Sequence, residues 1–223
     1  MQPVVGTHLG ESSFEFDSAS PPEALFEGLP FVHEPESAYY RDIIRSPWYY
    51  PVLRGIVETM KPSSILEFGT FWGYSMMAML RGHDFIVEAL TLDNEDPSYL
   101  PHADDRFLDK AFANINAICP TNTLLRCARW DTAWGIPKQY LDHRWDMIYV
   151  DGDHTFNGAC RDLDLALRYV SPGGWIVVDD VAFIDDVARA VERVLMGKVG
   201  FSFEVSTKTL SEPRGMLVAK AKS

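Results

Sequence analysis

The sequence predicts an α/β domain: a seven-stranded, mainly parallel sheet with helices on both faces and an antiparallel hairpin at its C-terminal edge. Three observations carry this. From residue 47 onward, short apolar runs alternate with amphipathic stretches of helical period, the pattern of a parallel sheet wound with helices. The last two apolar runs have no helix between them, so they pair antiparallel. A glycine-punctuated turn, Gly69-Thr70-Phe71-Trp72-Gly73, follows the first run.

Each element has its own signal. Residues 1–46 mix Pro, Ser, Glu and aromatics without a period, as in Ser18-Ala19-Ser20-Pro21-Pro22, and predict an irregular arm with short helices. Leu53, Ile56, Val57 and Met60 then fall at helical spacing, with Pro47 and Pro51 suited to the helix start and Pro62 to its end. Residues 1–60 are therefore expected to form an arm and helix, a lid or an oligomer contact, ahead of a domain over 61–223. Residues 64–69 read as a buried strand and 74–81 as the helix after it. A second strand covers 85–93, and a helix over 104–118 carries Leu108, Ala111, Phe112 and Ile115 on one face. The third and fourth strands cover 123–128 and 145–151. Leu163, Ala166, Leu167 and Val170 mark the next helix, which Pro172-Gly173-Gly174 stops before a fifth strand at 175–179. A helix over 184–195 follows. Residues 201–205 and 216–219 form the closing hairpin, joined by a turn containing Pro213.

Composition narrows the function. A chain of 223 residues, 47% of them hydrophobic, suits one compact domain with a short appendage. Its formal net charge of -12 repels phosphate backbones, whose neutralisation is the main source of nucleic-acid affinity. Nucleic acid and anionic membranes are both disfavoured as partners. No stretch approaches the ~20 apolar residues of a membrane helix, and Met1 to Gly10 lacks a basic run ahead of an apolar one. Cys119, Cys127 and Cys160 have no paired or metal-site spacing and read as reduced thiols. A cytoplasmic protein acting on a small molecule is the expectation.

In open parallel sheets, ligands bind beyond the carboxyl ends of the strands. At the first such end, Gly69 permits a tight turn and Gly73 a close helix, so the backbone between them can touch a ligand. The spacing is not the Gly-x-Gly-x-x-Gly that seats a pyrophosphate. Glu67 would repel a pyrophosphate but attract an ammonium, and Asp93 ends the second strand where it can accept hydrogen bonds from ribose hydroxyls. An adenosyl group joined to an amino acid fits this set better than a dinucleotide. Asp151 ends the fourth strand, and Asp179 and Asp180 end the fifth. Adjacent strands lie about 4.8 Å apart, so these carboxylates can converge on one hard divalent cation, or serve as caps for the next helix. Asp153 and His154 come next, and either could take the proton of a reacting hydroxyl. Trp48, Tyr49, Tyr50 and Trp72 could line a substrate pocket.

The run Leu66-Glu67-Phe68-Gly69-Thr70-Phe71-Trp72-Gly73-Tyr74-Ser75 resembles the first S-adenosylmethionine motif of catechol O-methyltransferases and related small-molecule O-methyltransferases. Two later runs, Asp146 to His154 and Pro172 to Asp180, resemble the same class I group, above all its bacterial branch that tailors antibiotics and sugars. The resemblance begins near Lys61 and implies a Rossmann-like methyltransferase fold with S-adenosylmethionine as cofactor. It implies that Glu67, Gly69, Tyr74 and Ser75 hold the methionine part, with Ser75 bonding its carboxylate, while Thr70, Gly73 and Asp151 complete the surroundings. Asp93 would bind the ribose, and Trp130 would cover the adenine. Asp151, Asp179 and Asp180 would ligate Mg²⁺ or another hard divalent cation, and Asp153 or His154 would be the catalytic base. The lysine found near this position in catechol enzymes is missing, which argues for another hydroxyl acceptor: phenol, sugar or other natural product. Two alternatives stand beside this reading, a nicotinamide-dependent oxidoreductase and a non-catalytic binding protein on the same fold. A homo-oligomer is left open.

Overall fold

The computed structural model describes residues 4–8, 14–16, 25–30, 40–95, 107–208 and 213–223. Its strands, in chain order, are β1 (Val4–His8), β2 (Phe14–Phe16), β3 (Ser64–Phe68), β4 (Glu88–Asp93), β5 (Leu124–Arg129), β6 (Trp145–Val150), β7 (Val170–Val178), β8 (Val199–Lys208) and β9 (Pro213–Ala221). Its α-helices, among the described residues, are α1 (Tyr50–Met60), α2 (Tyr74–Leu80), α3 (Phe107–Ile118), α4 (Phe156–Tyr169) and α5 (Asp185–Val194). The strands form one sheet in the order β2-β1-β8-β9-β7-β6-β3-β4-β5. From β7 to β5 all pairs are parallel, and β9 runs antiparallel to both β7 and β8. This is the expected seven-stranded sheet with its C-terminal hairpin. Strand order reverses between β3 and β6, which makes the carboxyl ends of those strands the natural ligand crevice.

The arm departs from expectation. Besides a short helical turn at Tyr40–Ile44, of the kind expected, it adds two strands that were not: β1 pairs antiparallel with β8, and β2 with β1. Without β1, the outward N–H and C=O groups of β8 would stand open along a sheet edge. The Ser18 to Pro22 stretch, the expected helix start at Asp104 and the hairpin turn before Pro213 lie outside the described residues. No described helix is long and apolar enough to cross a membrane.

Side-chain alternation along the strands builds a core on each face. Ile65, Met147, Tyr149, Val177 and Val218 point to the face covered by α1 and α2, joined there by Ile115 of α3. Leu66, Phe68, Ile148, Val150, Ile176 and Val178 point to the face covered by α4 and α5. Residues 1–60 share the first of these cores: Leu25, Ile43, Ile44, Val52, Leu53, Ile56 and Val57 are all buried in it.

Candidate active site

The turn after β3 is forced by its glycines. Gly69 has φ +90°, and a Cβ there would lie 2.0 Å from the carbonyl oxygen of Asp151. Gly73 has φ +80°, and a Cβ there would strike the Ile115 side chain of α3 at 2.8 Å. Only glycine permits both the left-handed backbone and the close approach. Between them, Asp93 Oδ2 accepts the N–H groups of Thr70 (2.9 Å) and Phe71 (2.8 Å), and its Oδ1 accepts that of Glu95 (2.7 Å). Asp93 thus holds the turn in shape. A carboxylate has about four lone-pair directions, so one remains for a ligand hydroxyl after these three bonds.

Glu67 lies on the α1–α2 face of β3 with no solvent exposure. Its Oε1 accepts from Ser75 Oγ and its Oε2 from Thr91 Oγ1, each at 2.5 Å, and the hydroxyls of Thr70 and Thr91 also touch at 2.5 Å. Burial pushes its carboxyl up to about 8, outweighing the two hydroxyl bonds. Ser75 therefore spends its hydroxyl proton on Glu67. The Tyr74 ring is buried edge-on to Phe26 at 5.0 Å and tilted against Tyr50 at 6.2 Å, so it belongs to the core. Trp130 packs against the α4–α5 core, donates Nε1 to the Gly135 carbonyl (3.0 Å) and meets Trp134 edge-on at 5.8 Å.

The acidic ends of β6 and β7 separate into two groups. Asp151, His154 and Asp180 each offer one ligand atom, all within 4.8 Å of one another. His154 Nε2 is 3.2 Å from Asp151 Oδ1 and 3.5 Å from Asp180 Oδ2. Arg214 of β9 donates to Asp180 Oδ1 at 2.7 Å. Burial works against the imidazolium, but the bond to Asp151 and the three aspartate charges outweigh it and raise His154 to about 9. Asp179 continues the alternation of Tyr149 and Val177 and so turns to the α1 face. There its Oδ2 accepts hydroxyl protons from Tyr49 and Tyr149, the latter at 2.6 Å, and its Oδ1 accepts the Asp180 N–H at 2.7 Å. The cluster with ligand spacing is two carboxylates and an imidazole, where the sequence suggests three carboxylates.

Asp153 and His154 also part ways. Asp153 Oδ1 accepts the Thr155 N–H (2.9 Å), its Oδ2 takes Arg161 Nη2 (3.3 Å), and its carboxyl carbon lies where a Cβ on Gly158 would be. It is folded into the start of α4, whereas His154 reaches Asp151 and Asp180. Sequence reasoning missed Tyr149 and Arg214, which come from distant strands, and named Tyr49 only as a pocket aromatic.

Solved structures share this fold. An O-methyltransferase from Bacillus cereus in complex with SAH superposes with a TM-score of 0.59 at 21% identity, over 76% of this chain and 79% of that one. The O-methyltransferase TomG from Streptomyces achromogenes, involved in tomaymycin synthesis and solved with SAM, gives 0.58 at 17% identity, over 93% and 92%. An uncharacterized protein of Acanthamoeba polyphaga mimivirus is 25% identical over 134 residues, 59% of this chain, and the matched region spans only 58% of that protein. A family model described as a methyltransferase domain matches residues 66–181, just over half of the chain. That stretch runs from inside β3 to the loop after β7 and carries Glu67, the glycine turn, Asp93, Asp151, His154 and Asp180. The chain belongs to this methyltransferase domain family.

Proposed function

We propose that the protein transfers a methyl group from S-adenosylmethionine to a hydroxyl oxygen of a small-molecule acceptor. The observation that carries this is the convergence, at the carboxyl ends of β3, β4, β6 and β7, of a buried-acid glycine turn, a ribose-type aspartate and an acid–imidazole cluster. Glu67 would face the ammonium of the cofactor, Asp93 its ribose, and Trp130 the adenine. The solved relatives with SAH or SAM bound support the cofactor assignment.

In the reaction a C–O bond forms to the acceptor as the S–C bond breaks, so the sulfonium becomes a neutral thioether and the hydroxyl proton leaves. Holding the two reactants in line removes much of the entropic barrier. His154, raised to about 9, is an imidazolium at neutral pH, so its Nε2 can take that proton only in the neutral form. Turnover should then rise as pH approaches about 9, and Asp151 and Asp180 on either side stabilise the imidazolium that results. Asp153, bonded to Thr155 and Arg161, serves to hold the loop. A divalent cation fits the site as well: Asp151, Asp180 and neutral His154 would hold it, and a mixed oxygen–nitrogen set suits Mn²⁺ as readily as Mg²⁺. Its contribution would be to lower the pKa of the acceptor hydroxyl.

Calorimetry is the first test. S-adenosylhomocysteine is expected to bind with micromolar-range affinity, about 8 kcal/mol. Binding of NAD without binding of S-adenosylhomocysteine would overturn the reading. With an acceptor in hand, turnover in EDTA against turnover with added Mg²⁺ or Mn²⁺ decides the cation: undiminished activity in EDTA removes it.

A further inference from the structure

A strand that supplies none of the acids sends a cation in among them. Arg214, near the start of β9, has a side chain only 19% exposed, and its Nη1 donates to Asp180 Oδ1 at 2.7 Å. Its guanidinium carbon lies 4.3 Å from the centre of the Phe183 ring and 5.9 Å from that of Tyr49, so two aromatic rings hold the charge in place. The backbone fixes both partners. The Val181 N–H donates to the Gly215 carbonyl at 3.1 Å, and a Cβ on Gly215 would strike Ala182 at 2.9 Å. The loop after β7 therefore lies against β9 beside Arg214. Asp180 has φ +57°, a left-handed shape uncommon for residues with a side chain, and its carbonyl accepts the Phe183 and Ile184 N–H groups at 3.0 and 2.9 Å.

Carboxylates crowded together need positive charge nearby. At Asp180, whose side chain is almost wholly buried, Arg214 supplies it to one oxygen while the other faces His154 at 3.5 Å. A charge pair withdrawn from water in this way is screened little by salt. A divalent cation drawn to Asp151, Asp180 and His154 would share Asp180 with a fixed guanidinium and meet its repulsion at close range. We propose that Arg214 is the resident cation of this acid cluster, a positioning residue that holds Asp180 beside His154 and keeps divalent cations weakly bound. Arg214 acts through Asp180. The inference rests on the cation fit described above and is independent of the cofactor.

The test uses Mn²⁺ alone on the full chain, with affinity read from the loss of the free-ion signal in electron paramagnetic resonance. Arg214→Met keeps a long apolar side chain against the two rings and removes the charge. It is expected to bind Mn²⁺ at least about tenfold more tightly than the wild type, because one charge of repulsion is gone. Arg214→Lys keeps a charge and should stay close to the wild type. A merely structural arginine would give the opposite result for Arg214→Met, since a displaced Asp180 loses affinity. Adding Asp180→Asn to Arg214→Met should abolish the gain, which locates the ion at this cluster. Should Arg214→Met fail to fold with Asp180 unpaired, Arg214→Gln, which offers Asp180 an amide donor, carries the same expectation. The proposal is overturned by equal or weaker Mn²⁺ binding in the variants without the charge, by a matching gain in Arg214→Lys, or by a gain that survives Asp180→Asn. Wild-type protein that does not bind S-adenosylhomocysteine would overturn the methyltransferase reading instead, and the Mn²⁺ series would still decide the role of Arg214.

Discussion

Glu67 shows how a single residue ties stability to pH. Both its oxygens rest on hydroxyls in the core, and its carboxyl is pushed from an ordinary value near 4.5 up to about 8 by burial. A raised folded-state pKa means the native protein holds a proton that the unfolded chain has released. The contribution of Glu67 is therefore fully favourable below about 4.5 and is lost as pH rises through about 8. Glu67→Gln, which cannot ionise, is expected to flatten this decline. Relative to the wild type, it should gain stability between pH 5.5 and pH 8.5, by on the order of a few kcal/mol. Denaturant unfolding at the two pH values measures it, and parallel behaviour of the two proteins would remove Glu67 as the cause. Glu67 and Asp93 were legible because an acid at a strand end is costly to bury, and a glycine turn beside it gives it backbone or ligand donors to meet. The division of labour between Asp153 and His154 was not, because it depends on an N–H two residues on and on an arginine one helical turn further along α4, neither of which has a sequence signature.

At the scale of elements, the start of α1 is fastened to the end of β7. Tyr49 and Tyr149 both donate to Asp179, which is itself buried, and the Tyr49 ring meets Tyr50 edge-on at 5.0 Å. Burial and the charge of Asp179 push both phenols well above their ordinary range, so the hydroxyls stay protonated as donors. Tyr49→Phe keeps the ring and removes one bond to a charged acceptor. It is expected to cost about 1.5–3 kcal/mol in urea unfolding; a change within a few tenths of a kcal/mol would show that Tyr149 and the Asp180 N–H satisfy Asp179 unaided. Helices and inner strands were readable to within a few residues from their periods. The start of β7 was missed because Pro172-Gly173-Gly174 looks like a break. In the structure Val170 pairs with Trp145 and pairing resumes at Trp175 with Met147, so these residues form an irregularity inside the strand pair. Gly173 has φ +73°, and a Cβ on Gly174 would sit 2.9 Å from the Asp146 carbonyl oxygen. The strands of the arm were missed for a different reason. Their pairing is long-range, with Gly6 opposite Val205, and nothing local announces it.

At the scale of the whole molecule, the site belongs to no one segment. β3, β4, β6 and β7 supply its acids, the residue before α1 supplies Tyr49, and β9 supplies Arg214 from near the other end of the chain. The topology was legible because strand–helix alternation leaves few ways to wind a parallel sheet. The convergence of Tyr49 and Arg214 was not, since sheet order, which sequence does not display, brings β9 beside β7. A ligand bridging these strand ends binds only the folded chain, so it should raise the temperature at which the whole molecule unfolds. At a hundredfold excess over Kd, such a ligand adds about 2.7 kcal/mol. For a chain of this length each kcal/mol moves Tm by roughly 2–4 °C. S-adenosylhomocysteine at that excess is therefore expected to raise Tm by about 5–10 °C, and NAD at the same concentration to leave it unchanged. The cofactor contacts expected for Asp93 should make the shift depend on that carboxylate, so Asp93→Asn should shrink the ligand-induced rise beyond any loss in its own ligand-free Tm. A rise of equal size in wild type and Asp93→Asn would place the ligand elsewhere on the sheet. No rise with S-adenosylhomocysteine, in a protein that unfolds cooperatively, would take the cofactor out of the crevice altogether.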